Sequence, residues 1–142
     1  MKILNLTQHK ATPEQKKSGV IDYENARDEF LLRKEKDNDD VALWKLELPE
    51  NLVELLTFEQ LPSRGEINNR VLLMQWIARQ LGYKKAMIGG APYMMAALES
   101  ALKAAGVQPV YAFSKEEIVD EKMTDGSIKK RKELRHFGFV DA

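Results

Sequence analysis

The sequence predicts an α/β fold: a Rossmann-like, mostly parallel sheet flanked by helices, with a C-terminal antiparallel β-hairpin. The first observation is a strand, loop and helix pattern in residues 2–18. The second is an apolar run at residues 85–88 that leads through glycines into a helix and then into another apolar run at residues 109–113. The third is the pair Asp125-Gly126 between two extended stretches, which is a strong hairpin signal.

The first strand and helix are predicted from a short apolar run and a helix-start signal. Residues 2–7 form the apolar run, which contains β-branched side chains. Thr12 precedes a proline, and Gln15 stands at capping-box distance from it, so a helix is expected to begin here. Gly19 is expected to end that helix, and residues 20–21 add a brief extended piece.

Periodicity weakens in residues 22–49. Residues 33–40 are almost wholly charged, so we expect a solvated loop or insertion in this part of the chain. Short apolar runs at residues 30–32 and 41–44 flank the charged run. Both a hairpin and continued helices fit these runs.

A long helix is predicted in the middle of the chain. Residues 51–58 indicate a short helix before it, and Ser63 and Glu66 have capping-box spacing at its start. The helix is expected to run to about Leu81, with Gly82 ending it. Its apolar stripe is wider than one face, which predicts either deep burial or partial cover by another subunit.

A βαβ unit follows. The strand at residues 85–88 enters a glycine turn, Pro92 suits the first helical turn, and Gly106 is expected to close the helix before the strand at residues 109–113. Strand, helix and strand within about 30 residues form a right-handed crossover between parallel strands in nearly all proteins.

The last strand is expected to continue past Ser114, to turn at residues 124–127 and to return through residues 128–140. The outgoing strand is acidic and the returning strand is basic. Cross-strand ion pairing explains this distribution without any ligand.

Composition limits the classes of function. The chain has 142 residues, 22 Lys plus Arg against 22 Asp plus Glu, and no cysteine. We therefore expect one domain over residues 1–142, no thiolate chemistry and no general surface for duplex nucleic acid. Two histidines without cysteine make a metal site unexpected, and no cofactor is expected. Neither a signal peptide nor a membrane span is visible, so we expect no membrane partner and a cytoplasmic protein.

Three segments are expected to meet at one ligand site, because ligands bind beyond the carboxyl ends of parallel strands. The glycine turn brings backbone amides and a helix N-terminus to the site, which favours an anion such as phosphate. A simple tight turn is the alternative. The segments are Thr7-Gln8-His9, Gly89-Gly90-Ala91 and Phe113-Ser114-Lys115.

Four side chains carry the expected chemistry. His9 can act as an acid or base near neutral pH, and Lys115 can stabilise charge that develops during phosphodiester cleavage. Tyr93 can stack on a base, and Arg135 can reach the site from the hairpin. The structural alternatives are a histidine that bonds the backbone, a lysine paired with a glutamate, and a half-buried tyrosine.

The chain resembles a known family in five short segments. Its C-terminal residues 109–117, 125–127 and 134–139 resemble the end of small CRISPR-associated Rossmann-like (CARF-like) proteins of the ring-nuclease type, or of a phage-encoded relative. Residues 5–9 and 88–92 fit the same layout. Proteins of this type bind cyclic oligoadenylate, and some cleave it. The resemblance implies ligand contacts from Gln8, His9, Gly89, Gly90, Ser114 and Lys115.

The expected function is a metal-independent phosphodiesterase acting on cyclic oligoadenylate, as a homodimer in antiviral defence or counter-defence. The ligand's own 2′-hydroxyl would attack the adjacent phosphorus, with His9 and Lys115 as the catalytic residues. One alternative is a module that binds the nucleotide without cleaving it, which Glu116 favours because the family pattern has arginine at this position. The other is an interaction protein that docks a partner on the broad helix.

Overall fold

The sheet has five strands in the order β2-β1-β3-β4-β5, in a computed structural model that describes residues 1–142. The first four strands are parallel to one another, and β5 is antiparallel to β4. This arrangement confirms the predicted fold class, including the hairpin. The strands are β1 (Ile3–Asn5), β2 (Val20–Asp22), β3 (Lys85–Met87), β4 (Gln108–Lys122) and β5 (Ile128–Asp141).

Two helices begin with the capping interactions that the sequence predicts. Thr12 and Gln15 form a reciprocal capping box, with distances of 3.1 and 3.0 Å, and Ser63 Oγ accepts a hydrogen bond from the Glu66 amide at 3.1 Å. None of the helices combines the length and the apolar character needed to cross a membrane. The helices are α1 (Pro13–Lys17), α2 (Tyr23–Lys36), α3 (Val41–Glu47), α4 (Val53–Leu56), α5 (Arg64–Leu81) and α6 (Pro92–Ala104).

The expectation of a charged loop or insertion at residues 22–49 is wrong for most of that range. Helices α2 and α3 occupy it, and only residues 37–40 connect them. Phe30 is buried beneath the edge of the Trp44 ring, with centroids 5.0 Å apart, and Trp44 also stacks on Trp76 of α5. The charged run suggested a loop, but its first half is the exposed last turn of α2. Basic side chains at this end of a helix interact favourably with the helix dipole.

The two faces of the sheet are covered unequally. A core of 22 buried residues joins one face to α2, α5 and α6. The other face has a smaller core of five buried apolar residues, beneath α1 and the loop before it: Ile3, Ala11, Val20, Met87 and Val110. Most of the broad apolar stripe of α5 lies in or against the larger core, and Leu72 is its exposed member, so the hypothesis of a partner docked on this helix loses its main support.

Strands β4 and β5 continue beyond the rest of the sheet. Strand β4 pairs with β3 only as far as Val110, and from there its single neighbour is β5. A β-bulge interrupts the register between Phe113 and Ser114, and regular pairing then runs outward to a turn at residues 123–127. We call residues 114–136 the arm. At about 3.4 Å per residue, the arm is about 27 Å long.

Candidate functional site

An open cleft lies at the carboxyl ends of β1 and β3. The chain leaves β1 towards β2 on one side, whereas β3 leads to β4 on the other, so the cleft lies at the point where strand order reverses. Its volume is about 420 Å³, within the usual range for small-molecule sites. The lining residues are Thr7, Gln8, His9, Lys10, Thr12, Gln15, Met87, Ile88, Gly89, Gly90, Tyr111 and Ala112.

The loop after β1 forms one wall of the cleft. Thr7 is half-buried, whereas Gln8, His9 and Lys10 are exposed. His9 and Lys10 are the two basic side chains of the lining, and Gln8 and Thr7 add neutral donors and acceptors. This wall can therefore attract a negative charge and also bond a sugar or a base.

Hydrogen bonds of the Asn5 side chain fix the conformation of this loop. Its side-chain amide donates to the His9 carbonyl oxygen at 2.8 Å and to Asp22 Oδ1 at 2.9 Å. Its Oδ1 accepts from the Thr7 amide at 2.9 Å, and Asp22 Oδ1 also accepts from the Ala11 amide at 2.8 Å. Asn5 and Asp22 thus fix both ends of the loop with their buried side chains.

Sequence reasoning missed this buried pair. The available signal was the amide of Asn5 within an otherwise apolar run, together with a carboxylate directly after the extended piece Val20-Ile21. Buried polar side chains need hydrogen-bond partners, and neighbouring parallel strands supply them to each other.

The glycine turn forms the opposite wall. The backbone amides of Gly89, Gly90 and Ala91 make no hydrogen bond within the chain, whereas the preceding amide, that of Ile88, donates to Val110 O at 2.9 Å. Gly90 has a φ of 146°, a conformation that residues with a Cβ rarely adopt. Gly89 is half-buried and Gly90 is exposed, so a ligand can reach these amides at the N-terminus of α6.

Tyr111 closes the cleft on the β4 side. Burial is the main cause that raises the pKa of this phenol, and the nearby Glu99 carboxylate adds to it. The protonated phenol donates a hydrogen bond to Glu99 Oε2 at 3.3 Å. Tyr111 thus presents a neutral aromatic ring. No group of three or more His, Asp and Glu side chains lies close enough to hold a metal ion.

The structure unites two of the three predicted segments. Thr7, Gln8 and His9 face Gly89 and Gly90 across the cleft. The remaining predicted site residues do not line it: Ala91, Tyr93, Ser114, Lys115 and Arg135.

These remaining residues have other surroundings. Ala91 is the N-cap residue of α6, and the Tyr93 ring packs on Phe58 with centroids 5.6 Å apart. The three others lie on the arm: Ser114 pairs with His136, Lys115 Nζ lies 5.9 Å from the centroid of the Phe137 ring, and Arg135 pairs with Glu117 at 3.4 Å. They lie there because β4 continues as a two-stranded ribbon instead of ending at the rim of the sheet.

Comparison with known proteins identifies a family. Curated proteins and solved structures give no match. Residues 1–140 match a family model, and this range includes the cleft, the arm and all the strands except the last residue of β5. The chain therefore belongs to the uncharacterized protein MJ1673 family.

Proposed function

We propose that this protein binds a phosphate-bearing nucleotide in the cleft between the ends of β1 and β3. The observation that carries the proposal is the pair of free amides at Gly89 and Gly90, two residues that line the cleft together with His9 and Lys10. Free amides at a helix N-terminus bind phosphate oxygens, and the two basic side chains add attraction for the same charge.

The remaining lining suits the rest of a nucleotide. Thr7 and Gln8 offer hydrogen bonds to a sugar or a base, and Tyr111 adds an aromatic residue to the lining. A cleft of about 420 Å³ takes one nucleotide unit, so a cyclic oligonucleotide would extend over the rim. The resemblance favours cyclic oligoadenylate as the ligand, and we place the protein in the cytoplasm, in defence or counter-defence.

Cleavage of that ligand is a second proposal. The ligand's 2′-oxygen would attack the adjacent phosphorus, the bond from phosphorus to the 5′-oxygen would break, and the 5′-oxygen would leave with a proton. His9 carries the imidazole of the cleft, the group that would serve as general base and general acid in this step. Lys115 lies on the arm and outside the cleft, which supports the alternative of binding without turnover.

One experiment tests both proposals. The protein is titrated in a calorimeter with cyclic tri-, tetra- and hexa-adenylate and with adenosine monophosphate, in excess EDTA, and each ligand is then recovered and analysed by chromatography. We expect stoichiometric binding of at least one cyclic adenylate. Recovery of the intact ring would select the binding module, and recovery of linear product would select the phosphodiesterase. Absence of heat with every nucleotide would overturn the nucleotide proposal.

A further inference from the structure

We propose that a second cavity, at the amino ends of β1 and β3, binds a compact small-molecule anion that carries several negative charges. This basic cavity has a volume of about 420 Å³. The inference is independent of the nucleotide proposal, because the basic cavity and the cleft share no residue. Six residues with polar side chains line the basic cavity: Lys2, Glu29, Arg33, Tyr83, Lys84 and Lys85.

The topology gathers basic residues at this end of the sheet. Strands β1 and β3 are adjacent and parallel, Lys2 directly precedes β1, and Lys85 is the first residue of β3. Helix α5 ends shortly before β3, and the connection between them supplies Lys84. Helix α2 contributes Arg33 from its last turn. The basic cavity and the cleft therefore lie at opposite ends of the same two strands.

Most of the positive charge in the basic cavity has no partner within the chain. Four of the lining side chains are basic, and Glu29 is the one carboxylate among them. Glu29 lies 3.9 Å from Lys2. Arg33, Lys84 and Lys85 form no ion pair. Like charges that converge on a concave surface repel one another and concentrate a positive potential there, and a bound anion relieves that repulsion.

Helix dipoles offset only part of this charge. The C-termini of α2 and α5 lie at the same end of the sheet as the basic cavity. Each helix C-terminus is equivalent to about half of a negative charge, and the effect falls off within the last turn. The three unpaired basic side chains therefore leave a net positive charge in the cavity.

Tyr83 adds a neutral hydrogen-bond donor to the lining. Its side chain is half-buried, and burial is the main cause that raises the pKa of its phenol. The charges of Glu29 and Arg33 act on the same phenol in opposite directions. The protonated hydroxyl can donate to an oxygen of an anion that the basic side chains attract.

Size and charge together define the class of ligand. A cavity of about 420 Å³ is at the small end of the range for small-molecule sites, so a compact molecule fits it. A singly charged anion would leave the cavity positive, whereas an anion with two or more charges neutralises it. Polyphosphates and polycarboxylates share this chemistry, and Arg and Lys side chains bind both. Duplex nucleic acid needs a wider basic surface than this cavity provides.

Nuclear magnetic resonance of the ¹⁵N-labelled full chain tests the site. The protein is titrated with inorganic tripolyphosphate and, separately, with citrate, at constant ionic strength. We expect saturable shifts of the backbone amide signals of residues 82–85 with at least one of the two anions, and the anion that binds more tightly identifies the ligand chemistry. Unchanged signals at residues 82–85 with both anions would overturn the proposal, even if the amides of the glycine turn in the cleft shift.

A pair of arginine variants separates the basic cavity from a general effect of charge. Arg33→Gln should raise the dissociation constant of the better-bound anion at least about fivefold, because an unpaired guanidinium is lost from the lining. Arg79→Gln removes the same charge from the last turn of α5, outside the cavity, and should change it less than about twofold. Both arginines are exposed, so both variants should fold. Equal effects of the two substitutions would overturn the site.

Removal of the one carboxylate should have the opposite effect. Glu29→Gln should lower the dissociation constant of the same anion at least about threefold, because it removes a negative charge from the lining and releases Lys2. Glu35→Gln, at an exposed position of α2 outside the cavity, is the matched control and should leave the affinity within about twofold. Weaker binding in Glu29→Gln would contradict an anion in this cavity.

Discussion

The side-chain amide of Asn5 donates a hydrogen bond to Asp22 Oδ1 at 2.9 Å, between the last residues of two adjacent parallel strands. The same Asp22 oxygen accepts the amide of Ala11, and the same Asn5 amide group reaches the carbonyl of His9. A single buried pair thus joins the ends of β1 and β2 to the loop that forms one wall of the cleft.

Loss of the Asp22 carboxylate should destabilise the fold. In Asp22→Ala, the amides of Asn5 and Ala11 lose their acceptor inside the protein, and each such loss costs about 1–3 kcal/mol. Urea denaturation of the variant should show the decrease in the free energy of unfolding. Asp28→Ala, on the exposed side of α2, makes the same chemical change and should alter stability by less than about 0.5 kcal/mol. Equal unfolding midpoints for the two variants would contradict the role of Asp22.

Gly89→Ala should weaken nucleotide binding without unfolding the protein. A Cβ at Gly89 would lie 3.6 Å from Thr7 Cγ2, an ordinary van der Waals distance, so the chain can accept it. The added methyl group would occupy the space through which a phosphate approaches the amides, and the dissociation constant of the best-bound cyclic adenylate should rise at least about tenfold.

Gly65→Ala supplies the control for this prediction. Gly65 lies in the first turn of α5, outside the cleft, and a Cβ there has no neighbour closer than 3.9 Å. The Gly65→Ala protein should bind the same cyclic adenylate as tightly as the unmodified protein does, and its melting temperature should not fall. Full affinity in Gly89→Ala would show that the ligand does not use the glycine turn.

His9 and Lys115 should differ in their effect on binding. His9 lines the cleft, so His9→Gln should remove a contact with the phosphate and raise the dissociation constant about tenfold. Lys115 lies on the arm beside Phe137, so Lys115→Gln should change affinity less than about twofold. Calorimetry of both variants with one ligand decides the matter. A larger effect at Lys115 would place the ligand against the arm.

Alkaline pH should destabilise the protein through Tyr23. Burial raises the pKa of this phenol from 10.0 to about 12, and its hydroxyl donates to the Pro49 carbonyl at 2.6 Å. In the unfolded chain the Tyr23 phenol ionises at the lower of these two pKa values. Its contribution to the free energy of unfolding is therefore complete below pH 10 and is lost as the pH rises towards 12. In this interval the free energy of unfolding should fall by about 1.4 kcal/mol per pH unit because of this residue alone.

Comparison of Tyr23→Phe with the unmodified protein isolates that contribution. The pKa values of Tyr83 and Tyr111 are also raised by burial, and both residues remain in each protein, so their effects cancel in the difference. Urea unfolding between pH 9 and pH 12 should give a shallower pH dependence for the variant. Parallel curves would contradict a protonated, buried Tyr23.

Much of the fold was predictable because its signals are local. Thr12, Ser63 and Pro92 mark helix starts through chemistry within one turn, and Asp125-Gly126 marks the hairpin in the same way. Helices α2 and α3 were not predictable from periodicity. Their stability depends on contacts such as that of Phe30 with Trp44, between residues from separate helices, and a charged helix end hides the pattern.

The site was predictable as far as topology decides it. Parallel strands bring the loop containing His9 next to the glycine turn at Gly89, and strand order alone is enough for this. The distance of Lys115 from the cleft follows from the extension of β4 past the rim of the sheet. The sequence predicted a strand that continues past Ser114, but not that its pairing with β3 ends at Val110. The Asn5 and Asp22 pair depends on the register between β1 and β2, which no local pattern encodes.

The unequal cover of the sheet has a consequence for motion. Local opening of a protein begins where few apolar contacts must be broken, and the core beneath α1 has five buried apolar residues against 22 in the core on the other side. Thr12 and Gln15, from this thin side, also line the cleft. Amide hydrogens around α1 should therefore exchange with solvent well before those of α5. A bound ligand should slow that exchange, and it should leave the exchange of amides in the larger core unchanged.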